Sequence, residues 1–384
     1  MKKRFLICLL IVSVALPLFL FAQGGQEAQP TAAPASKPAV ATPVAKEPTQ
    51  EELIAAAQKE GTLTVYTPST RHAQVAADFE KKYGIKTTVS TVKDVEMIEK
   101  VSKEAAANLD AADCVFCQDG GRVYTELMEP GYVTSYTPVE LRSIIPAQYQ
   151  SPEVWDLCTK TFNYNSGNGG QPITNIWQLT EPDWKGRIQF KDPFQEGVNM
   201  NFLTMITRDD YAKKLSDAYK DLYGKDLKLT TKNAGYEWIK MFYANTVLGK
   251  SDTTIAEQVG AKGQAKQMMG LFTANKLRTA KAKNLDLTSC YDVKPFGGFY
   301  YPIYAFIPSN TRSPNAAKLF IQYALSPEGY SYFNTLGDYS PNPQLANTED
   351  KVSILDWGKQ LVYEDPQWCA KARADVEDFV NSIM

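Results

Sequence analysis

An α/β fold in two lobes is what the sequence predicts, and three observations carry that prediction. The chain has 384 residues of ordinary globular composition and a formal charge of −2, long enough on the usual domain-length scaling for two lobes. From residue 51 onward, short apolar strand patterns alternate with amphipathic helical ones, the order that lays helices on the faces of a parallel sheet. The alternation then restarts after Trp155.

In chain order, Leu63 and Val65 mark a strand over 62–66, and Val75, Ala76, Phe79 and Tyr83 put an apolar face on a helix over 72–83. IKTTVSTV is a second strand; Val95, Ile98 and Val101 then mark a helix with Asp94 expected as its N-cap. ADCVF is a third strand, and QDGGRVYTELMEPG supplies a loop, a short helix and a glycine stop. In the second half IQFKD is a strand running into PFQEGVNMNFLTMI, helical in its latter part, and NAGYEWIKMFYANTV is an amphipathic helix. KSDTTIAEQVGAKGQAKQMMGLFTANKL reads as a loop, a capped helix and a strand ending at Thr273, followed by the long aromatic strand GGFYYPIYAFIP. The remainder is helical, most clearly in SPNAAKLFIQYALSPEGYSYFNTL.

Residues 1–24 read as an export signal: Lys2-Lys3-Arg4, an almost unbroken apolar run from Phe5 to Ala22, and small residues for cleavage in Ala22-Gln23-Gly24. The run is also long enough for an uncleaved anchor, although Pro17 interrupts it. Residues 25–50 are Ala/Pro-rich without periodicity, a composition suited to a semi-extended spacer. The near-neutral charge leaves no basic stripe for nucleic acid. The single histidine, His72, excludes centres built on several histidine ligands, and it is expected at the surface or behind a site. Beyond the signal lie Cys114, Cys117, Cys158, Cys290 and Cys369, an odd set without a disulfide spacing. Cys114 and Cys117 fall three apart in a strand and so face opposite sides, which argues for buried thiols rather than a redox pair.

The stretches GTLTVYT…VAADFEKKYGIKTTV, AADCVFCQDGG, PDWKGRIQFKDP and IPSNTRSPNAAKLFIQYALSPEGYSYF, in that order after an export signal, resemble the periplasmic solute-binding proteins of ABC importers. The resemblance is to the branch that contains ferric-ion-binding proteins and binders of phosphorylated or phosphonate solutes. It implies a type 2-like periplasmic-binding-protein fold: two lobes, each a mixed sheet flanked by helices, joined by crossing strands and closing on a ligand cleft. Lobe 1 would take residues 51–157 and 303–345, and lobe 2 residues 158–302 and 346–384. The implied partners are a small solute and the permease and ATPase of an importer. A monomer without cofactor or catalysis is expected, periplasmic and either free or tethered by its signal.

In such a fold, ligands lie beyond the carboxyl ends of the strands, beside helix N-termini whose free N–H groups favour anions. Ser69, Thr70 and Arg71 after the first strand then become ligand candidates, although Ser69 or Thr70 capping the helix is the alternative. Ser251, Asp252 and Thr253 are either an N-cap cluster or a donor nest. Asp192, Glu196 and Asn199 could accept from hydroxyls or an amine, or serve as a capping turn; Gln118 and Asp119 lie above the first sheet. Tyr300 and Tyr301 either stack on a ligand or pack a hinge. Thr273 and Asn275 end the strand after which the iron-binding relatives carry paired tyrosines, and Thr70 stands where they often carry histidine. Hydroxyls and an amide are poor ligands for hard Fe(III), which favours a small polar, anionic solute. Iron held by Tyr300, Tyr301 and Asp119 or Glu196 is the alternative. A secreted hydrolase is a third reading, weakened by the lack of a Gly-x-Ser-x-Gly elbow.

Overall fold

The computed structural model describes residues 47–345, 347 and 354–384; the export signal and nearly all of the spacer lie outside them. Helix α1 (Gln50–Glu60) starts in a capping box between Thr49 and Glu52 and stops at Gly61, whose φ of 77° a glycine adopts without steric cost. Strand β1 (Thr62–Thr67), α2 (His72–Tyr83), β2 (Lys86–Thr91), α3 (Asp94–Ala106) and β3 (Cys114–Cys117) follow in the expected order. β1 pairs in parallel with both β2 and β3. α3 begins at Asp94 itself, so Lys93 rather than Asp94 holds the cap position. Then come α4 (Gly120–Arg122), which runs straight into π-helical turns over Val123–Met128, and the short strand β4 (Val133–Ser135).

Strand β5 (Val154–Asn165), which the sequence pattern did not reveal, is twelve residues long and buried throughout. The second half adds β6 (Ile188–Lys191), α5 (Gly197–Ile206), α6 (Asp209–Tyr223), α7 (Ala234–Asn245), β7 (Thr246–Gly249), α8 (Asp252–Gly260) and β8 (Met269–Thr273). After β9 (Leu287–Ser289), β10 (Gly298–Pro308) returns toward the first half. The chain ends with α9 (Pro314–Ala324), α10 (Pro327–Tyr330), β11 (Asp338–Tyr339), α11 (Ile354–Trp357), β12 (Val362–Tyr363) and α12 (Pro366–Ile383).

Among the described residues twelve strands form one sheet, with the main path β2-β1-β3-β10-β5-β8-β6-β7. β10 runs antiparallel to β3 and β5, and β5 antiparallel to β8, whereas β6 is parallel to β7 and β8. The sheet is therefore mixed, not parallel as the element alternation alone implied.

Two large hydrophobic cores sit on this sheet, beside a small third cluster of Ile255, Ala256, Val259 and Phe272. The first gathers Phe79, Phe116, Trp155 and Phe320, and the second Phe162, Phe190, Phe202 and Trp238. β5 passes from one to the other between Leu157 and Cys158, and β10 passes back between Tyr301 and Tyr304. Ile354, Trp357 and Leu361 join the first core, while Val376 and Val380 of α12 join the second. Cys114, Cys117, Cys158, Cys290 and Cys369 are all free and buried, and burial pushes the Cys290 thiol up to about 12. No helix among the described residues is long and apolar enough to cross a membrane.

Candidate functional site

The end of β1 explains its cluster of hydroxyls. Thr67 shares a 2.6 Å hydrogen bond with Nδ1 of His72 and accepts one from the Ser69 amide at 3.2 Å. Neither Ser69 nor Thr70 caps α2 through its side chain; Ser69 Oγ accepts from the Arg71 amide at 3.3 Å, and Thr70 is exposed. Arg71 lies over the ring of Phe333, 4.0 Å from its centroid, and its Nη2 is 2.7 Å from Asp338. Asn275 donates to the same carboxylate at 2.9 Å, and its own buried Oδ1 has no partner among the described residues.

Where β5 enters the second core it carries Lys160, fully buried. Its Nζ meets Glu196 at 2.7 Å, Asn199 at 2.9 Å and Asp252 at 3.2 Å. Lys191 pairs with the other oxygen of Glu196, and the Thr273 hydroxyl donates to Asp252. Burial alone would lower the Lys160 pKa, but Asp252 and Glu196 outweigh it and the net shift is upward. Four of the expected residues, Glu196, Asn199, Asp252 and Thr273, are thus gathered by a lysine that sequence reasoning missed. Tyr301 is buried beside them, its pKa raised by burial first and then by Cys158. Lys276, also missed, is half-buried, and its ammonium makes no hydrogen bond or ion pair among the described residues. Burial chiefly lowers its pKa, against the fields of Asp252 and Asp338. With Thr253 and Arg278 it lines a pocket of about 210 Å³.

A third cluster ties the two halves together. Gln118 and Asp119 are buried at the end of β3, with Asp119 at φ 70°. Asp119 accepts from Arg373 of α12 at 2.7 Å and from Asn201 of α5 at 2.9 Å. The approach is so close that a Cβ on Gly197 would fall 1.7 Å from Asp119 Oδ2. Beside it the Gly120 amide donates to Glu364 at 2.7 Å. Burial, then the charge of Asp119, pushes Glu364 up to about 8.

Other expected residues lie elsewhere. Tyr300 faces away from Tyr301, as neighbours in a strand must, and its ring packs tilted against Tyr363 with centroids 4.7 Å apart. Asp192 closes its own turn, accepting from the Phe194 amide at 3.0 Å. Ser251 caps α8 by accepting from the Thr254 amide at 3.1 Å.

His72 is not at the surface: it is fully buried among Phe116, Trp155 and Phe333, and Nε2 has no partner among the described residues. Burial first, and then Arg71, lowers its pKa to about 3. An unfolded imidazole protonates near pH 6.5, so between 6.5 and 3 the unfolded state binds the extra proton. Stability from this group therefore falls as pH falls, by about 1.4 kcal/mol per unit. Glu153 and Glu364, raised to about 8 mainly by burial, act in the opposite sense and lose stability as pH rises from the usual carboxylate range toward 8. The histidine is isolated by difference. The stability of wild type relative to His72→Phe should decline by about 1.4 kcal/mol per unit from pH 6 to 4, and the single imidazole should show no NMR titration above pH 5.

Among the described residues, Asp156, Cys158 and Asp338 offer ligand atoms within 4.8 Å of one another. Their oxygens are already engaged: Tyr330 donates to Asp156 at 2.5 Å, and Asn275 and Arg71 hold Asp338. Two hard oxygens with a soft thiol do not suit Fe(III).

The fold and family follow from comparison. Iron-bound HitA from Pseudomonas aeruginosa matches with TM-score 0.65 at 16% identity, over 84% of this chain and 99% of that one. The ferric binding protein from Campylobacter jejuni matches with TM-score 0.62 at 20% identity, over 84% and 99%. The substrate binding protein of the ABC transporter from Agrobacterium tumefaciens gives 0.63 at 16%, over 84% and 94%. No curated protein matches the chain. These likenesses carry the two-lobed periplasmic-binding-protein fold. The family profile of the bacterial extracellular solute-binding proteins matches residues 63–337, most of the chain, and the chain belongs to that family.

Proposed function

We propose that this protein is the capture component of an ABC importer for a small polar solute bearing a phosphate, phosphonate or carboxylate group. The solute enters between the lobes, the lobes close, and the closed form docks on a permease coupled to its ATPase. No chemistry is done on the solute; the one histidine is sealed in an aromatic core. The observation that carries the choice of an anion is Lys276, a half-buried ammonium without a partner among the described residues, within the fields of Asp252 and Asp338. The charge balance agrees with it. Arg71, Lys160, Lys191 and Lys276 are four cations against three carboxylates, Asp338, Glu196 and Asp252. Burial, then Asp338, raises Asp156 well toward its neutral acid. One positive charge is left for a ligand, and the orphaned Oδ1 of Asn275 would accept from a solute hydroxyl.

A second reading, ferric iron, is supported by HitA and the Campylobacter protein, whose descriptions name iron. Against it, Tyr300 and Tyr301 face opposite sides, Asp119 is held by Arg373, and Glu196 by two lysines. A thermal-shift panel of phosphate esters, phosphonates, carboxylates and ferric citrate separates the readings. Ligand at a hundred times its Kd stabilises by about 2.7 kcal/mol. An anion from the panel should raise the melting temperature, and Lys276→Met should weaken that binding about tenfold or more. A coloured stoichiometric ferric complex, or response to neutral solutes alone, would overturn the anionic reading.

A further inference from the structure

On the opposite face of β10 from the Lys160 cluster lies a cavity of about 460 Å³. Tyr301 points to the cluster, and Tyr304, three residues on, points the other way and lines the cavity. The register shift between Ile303 and Tyr304 skips a residue of β5, from Asp156 to Val154, so the alternation along β10 is kept. The walls come from both cores: Val123, Val154 and Tyr304 from the first, against which Tyr363 also packs, and Tyr211 from the second, with Tyr124 completing the lining.

Two features define what such a cavity holds. Its only charged lining residues, Arg208 and Asp365, pair with each other at 3.0 Å, and Arg208 also holds Asp210 at 2.7 Å. An ionised ligand would lose its hydration without gaining a counter-ion. The second feature is the Tyr304 hydroxyl. The residue is 2% exposed, yet this group makes no hydrogen bond among the described residues. By contrast the Tyr211 oxygen is used, accepting from the Tyr363 amide at 3.2 Å. The Tyr304 hydroxyl opens into the cavity, where a hydrogen-bonding group on a ligand can take the place of water.

We propose that this cavity is an accessory binding site for a small, neutral, planar aromatic or heteroaromatic molecule with one hydrogen-bonding group directed at the Tyr304 hydroxyl. Tyrosine walls offer ring faces and edges for stacking, and the volume falls in the range of small-molecule sites. Because its walls belong to both halves of the protein, occupancy is linked to lobe movement, and by reciprocity to solute affinity in the cleft.

The test uses indole and phenol as probes, titrated into the full chain and followed by ligand-observed NMR, with benzoate as the charged control. Both probes should bind saturably, and benzoate at least tenfold more weakly. Tyr304→Phe should weaken phenol about three- to tenfold. Gln367→Trp, at an exposed rim position, should block the mouth and abolish binding while leaving the melting temperature unchanged. The proposal is overturned if neither probe binds saturably up to its solubility limit, if binding survives both substitutions, or if benzoate binds as well as phenol.

Discussion

Replacing Lys160 by methionine should destabilise the protein by about 3–5 kcal/mol, the usual cost of removing one partner from a buried ionic network. Methionine fills most of the volume, so the loss is electrostatic rather than a cavity effect. Asp252, 9% exposed, would keep only the Thr273 hydroxyl, and Glu196 only Lys191. Chemical denaturation measures the loss, and a companion variant identifies its origin. Adding Asp252→Asn and Glu196→Gln to Lys160→Met should recover most of the stability, because the uncompensated charges are gone. A loss below 1 kcal/mol for the single change would mean that water reaches the cluster and screens it.

Arg373→Met should act on shape as much as on stability. Asp119 is 1% exposed, and without Arg373 its charge would rest on Asn201 alone. Breaking such a pair again costs about 3–5 kcal/mol. Here the strain has an escape that Lys160 lacks. Asp119 lies just beyond β3, a strand of the first core, whereas Asn201 lies on α5, most of which packs in the second. Separating the two lets water solvate the carboxylate. The expected result is a larger radius of gyration by solution scattering, with a smaller loss of global stability than Lys160→Met gives. Asp119→Asn in the same background should restore the compact form. An unchanged radius with a large loss of stability would show that the cluster holds the fold, not the closure.

The outer elements were legible because their residues obey local rules. Val75, Ala76 and Phe79 in α2 repeat at helical spacing and are all buried, and Ser251 caps α8 as its sequence suggested. The middle of the protein was not legible. In β5, VWDLCTKTFNYN mixes Asp156, Thr159, Lys160 and Asn163 with apolar residues, yet every position is buried. Strand patterns detect a dry face beside a wet one; a strand buried on both faces, with partnered polar groups among its apolar ones, shows neither. The same blindness hid Lys160, Asp338 and Arg373, each of which reads as solvated surface until its partner, from 36 to 267 positions away, is known. The Ser69–Arg71 turn was found because a strand end before a helix is a local signal. Tyr300 and Tyr301 could not be sorted, since alternation says that they part but not which of them faces the cluster.

The five buried thiols decide what happens when this extracellular chain opens. While it stays folded, Cys114, Cys117, Cys158, Cys290 and Cys369 are buried and unpaired, out of reach of an oxidant. Once unfolded, these thiols meet an oxidising medium, and pairing is quicker to go wrong than to be undone. Unfolding there becomes a one-way door. The working lifetime of the protein outside the cell is then set by how seldom the chain opens, and not by the balance between open and closed chains that refolding would otherwise maintain.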